Sequence, residues 1–147
     1  MTTPDPAAYL AICETKARYC RCLDQKDWAG YADVFAPDAV LDTTNAGGPL
    51  ITGREALVAM VRGSVGDAVT VHQVHAPELR LTGDGTVEAV FAMQDRVIWA
   101  PEKAREVGRR SLTGYGHYSE QYQRCDDGVW RITRSALTRL HVDFEPL

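Results

Sequence analysis

LAICETKARYCRCLDQKDWAGYADVFAPDAVLD, residues 10–42, decides how the chain is read. It divides into an amphipathic helix, a break, a second short helix, a Pro-Asp turn and the entry to a strand. At 100° per residue, Leu10, Cys13, Ala17 and Cys20 follow one helix face, and Ile12, Tyr19 and Leu23 widen it. Asp24 continues the line of Ala17 and Cys20, so a carboxylate falls where an apolar side chain is expected. Two readings fit that position. Asp24 caps the turn where the helix ends, or it is aimed into a cavity where desolvation disfavours the charged form and suits the group to proton transfer.

Outward from this stretch the elements change character. Asp27 is placed to cap the second helix, with Trp28, Tyr31 and Phe35 at 3–4 spacing on its buried side and Pro37 as its stop. Residues 39–44 read as a short strand and residues 45–49 (NAGGP) as a loop, a candidate flap over a cavity. Thr52 and Glu55 form a possible capping box for a third helix carrying Leu57, Met60 and Val61. After Asp67 the pattern is strand: residues 69–81, 86–100, 109–124 and 129–144, with residues 101–108 (PEKAREVG) as a polar, mobile connection. Helices first and a long antiparallel sheet afterwards define an α+β fold, with three N-terminal helices packed on a curved, mostly antiparallel sheet.

Strand parity selects the inward residues. Val87, Ala89, Phe91, Met93, Val97 and Trp99 share one face, and Asp95 sits in that apolar row. An acid there is paired, at a cavity, or beyond a bulge. The opposite face carries Val90, Ala92 and Ile98 beside Glu88, Gln94 and Arg96, which an oligomer contact would explain. In residues 69–81 the parity of His72 conflicts with that of Leu79 and Leu81; a bulge near Ala76–Pro77 reconciles them, turning His72 inward and His75 away. His72 is then a satisfied core histidine or a site residue. His117, in GYGHY, is a candidate to line the same cavity, its orientation undecided.

Composition limits the function classes. A chain of 147 residues fits one domain, residues 1–147. Hydrophobic content of 45% with 24% charge is that of a globular core. A net charge of −4 without a Lys/Arg run excludes a nucleic-acid surface, and no apolar run approaches the ~20 residues of a membrane span. The N-terminus has neither a basic region nor a long apolar core, so a cytoplasmic protein without a signal peptide is expected. Cys13, Cys20, Cys22 and Cys125 lack zinc or redox spacing and are expected as reduced thiols.

In this order, Tyr19…Asp24-x-x-Asp27-Trp28, FAPDA at residues 35–39, GREAL at 53–57, Thr70-x-His72 and DGVWRI at 127–132 resemble the nuclear-transport-factor-2-like superfamily, in the SnoaL-like branch that includes scytalone dehydratase and the bile-acid 7α-dehydratase. The resemblance implies that Asp24 and His72 are the working acid–histidine pair, with Tyr19 and Asp95 as further catalytic groups. It places Thr43 and Ser119 near positions that orient the substrate in scytalone dehydratase. Trp28, Phe91, Met93, Val97 and Trp99 would wall a cavity suited to a flat steroid- or polyketide-like molecule. An imidazole held by a carboxylate, with a tyrosine hydroxyl facing a carbonyl, suffices to eliminate water β to a carbonyl or to move a double bond without metal or organic cofactor. The expectation is thus a lyase (dehydratase) or isomerase, assembled as a dimer or trimer. The alternatives are a ligand-binding module of the same fold and the small subunit of a ring-hydroxylating oxygenase.

Overall fold

The computed structural model describes residues 2–147. Its elements run α1 (Pro6–Gln25), α2 (Trp28–Asp33), β1 (Phe35–Asp42), β2 (Leu50–Thr52), α3 (Arg54–Val65), β3 (Val69–Val74), β4 (Glu78–Leu81), β5 (Val87–Ile98), α4 (Pro101–Val107), β6 (Ser111–Arg124) and β7 (Trp130–Glu145). One seven-stranded sheet takes the order β2-β1-β7-β6-β5-β3, with β4 following β3 along the same edge of β5. Every pairing is antiparallel except β1 with β7. This is an α+β cone, with α1 crossing between β3 and β7.

Helix α1 presents a different face from the one its apolar spacing indicates. Leu10 is 62% exposed, and Cys13 and Ala17 lie off the core. The buried stripe is Ala8, Ile12, Thr15, Lys16, Tyr19 and Leu23, flanked by Cys20 and Cys22. Lys16 interrupts that stripe in sequence but belongs to it in space, because its ammonium meets Glu120 of β6 at 2.6 Å with both side chains fully buried. A buried charge requires such a partner. Around it pack Tyr31, Phe35, Phe91, Tyr118, Tyr122 and Ile132, the core of the cone.

Four local expectations change. Phe35 begins β1 rather than continuing α2, which ends at Asp33, and Pro37 lies within β1 where its register against β7 shifts. Gly53, not Thr52, is the N-cap of α3, with φ near +98° and no side-chain cap. Residues 101–108 contain helix α4: Pro101 fixes its first turn and Gly108, at φ +75°, ends it. Residues 69–81 form two strands, because residues 75–77, including Pro77, interrupt the ladder against β5.

Candidate active site

Asp24 sits in the last turn of α1, where the helix passes over β3. Thr70 and His72 alternate with exposed Val69 and Val71, so both turn inward. His72 stands on the same face as Leu79 and Leu81, since their register partners Asp95, Ala89 and Val87 are all inward residues of β5. Asp24 Oδ1 lies 2.7 Å from His72 Nδ1 and accepts from the Thr70 hydroxyl at 3.0 Å. Its Oδ2 accepts from the His72 backbone N–H at 2.9 Å. A carboxylate oxygen accepting at this distance faces a ring proton on Nδ1.

Asp24 therefore does not cap α1. That role falls to Lys26, in the left-handed region at φ 60°, whose N–H returns to Cys22 and Leu23. The turn brings Lys26 Nζ to 2.8 Å from the Thr70 hydroxyl, so the chain Lys26–Thr70–Asp24–His72 is continuous. Burial pushes the Lys26 ammonium down from its ordinary value, partly opposed by Asp24.

Asp95 is the register partner of His72 and nearly fully buried. Its charge is matched by Arg139 of β7, which donates through Nη1 at 2.6 Å and Nη2 at 2.8 Å. Between them runs β6, and the gap is made by Gly114, where a Cβ would overlap both Arg139 Nη1 and Asp95 Oδ1. The side chains of His72, Asp95, Arg139 and Asp24 are 8, 6, 17 and 23% exposed, so Asp24 is the most solvent-accessible of the four.

Beneath it lies an aromatic floor. Tyr19 packs against Tyr31, Phe35 and Tyr118 with ring centroids 5.1–5.9 Å apart. The Lys16 ammonium sits 3.7 Å from the Tyr19 ring centre and 3.6 Å from that of Tyr118. Burial pushes the Tyr19, Tyr31 and Tyr118 phenols well above their ordinary range, and Asp95 raises Tyr118 further. These hydroxyls therefore stay protonated.

The structure brings Asp24, His72 and Asp95 together, with Phe91, Met93 and Val97 inward on β5. Trp28 packs edge-on against Tyr31, and Trp99, just past β5, buries an indole N–H without a partner. Tyr19 belongs to the floor, with Tyr31, Tyr118 and Lys16 as neighbours, on a helix α1 that runs unbroken to Gln25. His117 and Ser119 are corrected: their partners on β5 are Ala92 and Val90, which places both on the outer face of the sheet. Thr43 closes its own loop, donating its hydroxyl to the Pro49 carbonyl. Sequence reasoning missed Arg139, Thr70, Lys26 and Tyr118 as members of this cluster. Arg139 shares parity with Ser135 and Leu137, but only the β6–β7 register sets it opposite Gly116 and within reach of Asp95.

A SnoaL-like domain model matches residues 5–136, and the chain belongs to that family. Among solved structures, Aln2 from a Streptomyces species is 25% identical, with a TM-score of 0.76 over 94% of each chain. A candidate scytalone dehydratase from Novosphingobium aromaticivorans is 19% identical, with a TM-score of 0.79 over 96% of this chain and 93% of that one. The hexachlorocyclohexane dehydrochlorinase LinA-type3 from Novosphingobium barchaimii is also 19% identical, with a TM-score of 0.75 over 96% and 90%. No helix among the described residues is long and apolar enough to cross a membrane.

Proposed function

We propose that this protein is a lyase, a dehydratase or closely related isomerase, acting by His/Asp acid–base catalysis on a hydrophobic cyclic small molecule. The observation that carries the reading is the 2.7 Å contact between Asp24 Oδ1 and His72 Nδ1, with both oxygens of the carboxylate further held by Thr70 and the His72 N–H. Such an acid fixes the tautomer and stabilises the imidazolium that forms when Nε2 takes a proton. Nε2 would remove a proton α to a carbonyl and return it to the departing β-hydroxyl, so that water leaves and a double bond forms. Arg139 engages two of its guanidinium donors on Asp95 and a third on the Met93 sulfur at 3.8 Å, and a remaining N–H would serve the oxygen that gathers negative charge. The names of the solved relatives, a dehydrochlorinase and a candidate dehydratase, agree in reaction class.

The test uses a panel of cyclic β-hydroxyketones in D2O, followed by NMR. The wild type should exchange the α-proton and lose water, and Asp24→Asn and His72→Ala should each slow both by at least ~10²-fold while the fold persists. Binding of the panel with no exchange or elimination would leave the ligand-binding module as the function instead.

A further inference from the structure

Arg139 is held from its backbone as well as from its guanidinium. Strand β1 ends at Asp42, opposite Ala136, so the β7 edge beyond that point has no strand beside it. The side chain of Asn45 takes over there, its Oδ1 accepting the Arg139 backbone N–H at 3.1 Å. Immediately after Arg139 the β6–β7 register shifts: Gly116 faces Arg139 while Tyr115 faces His141, leaving Leu140 unpaired and 74% exposed. The strand is therefore free to twist at the residue that aims the guanidinium. Gly116 lets the chains approach at that step, since a Cβ there would overlap the Thr138 carbonyl.

The loop that carries Asn45 is closed on itself. Thr43 N–H and hydroxyl both donate to the Pro49 carbonyl, at 3.0 and 2.8 Å, and the Thr43 carbonyl accepts from Ala46 and Gly48 at 2.9 Å. A loop fixed in this way acts as a strap on β7.

We infer that Asn45 is a positioning residue: through the Arg139 backbone it holds the guanidinium on Asp95, and thereby fixes the ion pair that stands opposite His72 in the proposed reaction. The inference rests on that reading of the site for its role in turnover, but the positioning itself is measurable without substrate. The probe is the guanidinium NMR signature of Arg139, assigned by its loss in Arg139→Lys. In the wild type the bidentate ion pair should give resolved, slowly exchanging Nη protons. Asn45→Ala should broaden them or speed their exchange by ~10-fold or more. Asn45→Asp keeps an acceptor oxygen at that position and should restore them, whereas a side chain that merely fills space, as in Asn45→Leu, should not. Gly114→Ala, which crowds the ion pair directly, is the positive control. Unchanged Arg139 signals in Asn45→Ala, with Gly114→Ala disturbed, would overturn the proposal; so would recovery in Asn45→Leu. A positive result beside an inactive wild type would leave the strap intact and remove only the catalytic reading.

Discussion

Replacing Lys16 with methionine removes one half of a fully buried ion pair. The Lys16 Nζ to Glu120 Oε1 separation is 2.6 Å and both side chains are 0% exposed. At an effective dielectric of 20 the gross attraction is about 6 kcal/mol. Desolvating each ion costs several kcal/mol, so the pair as a whole contributes little net stability. Removing one partner is different, because the other charge stays behind. In Lys16→Met, Glu120 keeps the Ser135 hydroxyl at 2.7 Å and the Tyr122 hydroxyl at 2.5 Å, which softens the loss. The lost contacts of the ammonium with the Tyr19 and Tyr118 rings add to it. The expected cost is ~3–4 kcal/mol, within the range for stranding a buried charge. Glu120→Gln should cost a similar ~3 kcal/mol, as it leaves the ammonium without its counter-charge. The double variant should be no worse than the poorer single one, giving a coupling of ~3 kcal/mol or more in a double-mutant cycle. Urea denaturation followed by circular dichroism measures all four stabilities. If Lys16→Met costs less than ~1 kcal/mol, or the two losses simply add, the pair is not the internal charge lock described here.

Other outcomes follow from the same structure. Arg139→Gln should destabilise the fold by ~2–4 kcal/mol by stranding the nearly buried Asp95 carboxylate, and Arg139→Gln with Asp95→Asn together should recover part of it, both read by thermal denaturation. Asp84 is held down to about 2 by the Thr82 hydroxyl and the Thr86 N–H, against an ordinary 3.8. A lowered carboxylate stabilises the fold above its unfolded value and loses that effect as pH falls, so the advantage of wild type over Asp84→Asn in melting temperature should fade between about pH 4 and pH 2. The outer sheet face exposes Val69, Val71, Val90, Ile98 and Tyr115, and sedimentation should show a homo-oligomer that Val71→Glu with Val90→Glu dissociates; a 16.2 kDa wild-type monomer at micromolar concentration would refute this. Burial pushes the Cys20 thiol up to about 11, so iodoacetamide at about pH 8 should leave Cys20 unlabelled in the native protein, as counted by mass spectrometry.

Much of the architecture was written in local chemistry. The order of helices and strands, the Asp27 cap, the inward row from Val87 to Val97 and the break that turns His72 inward all depend on spacing, parity and proline, which operate over a few residues. Asp24 and His72 were each marked as a polar residue in an apolar pattern, which left two readings for each; only the family resemblance joined them as a pair. Three things were not legible, for one physical reason. The buried face of α1 was misplaced because Lys16 reads as a surface residue until Glu120, 104 positions away, arrives to neutralise it. Asp95 stood out as an acid in a core row, but its partner Arg139 lies 44 residues on and two strands over, brought near by sheet order rather than by pattern. The orientation of His117 and Ser119 was fixed only by the β5–β6 register, since a strand containing glycines, tyrosines and polar residues has no apolar parity of its own. Periodicity assigns a side chain to a face, whereas the partner that makes a buried charge tolerable is supplied by a distant strand and is decided by the tertiary structure alone.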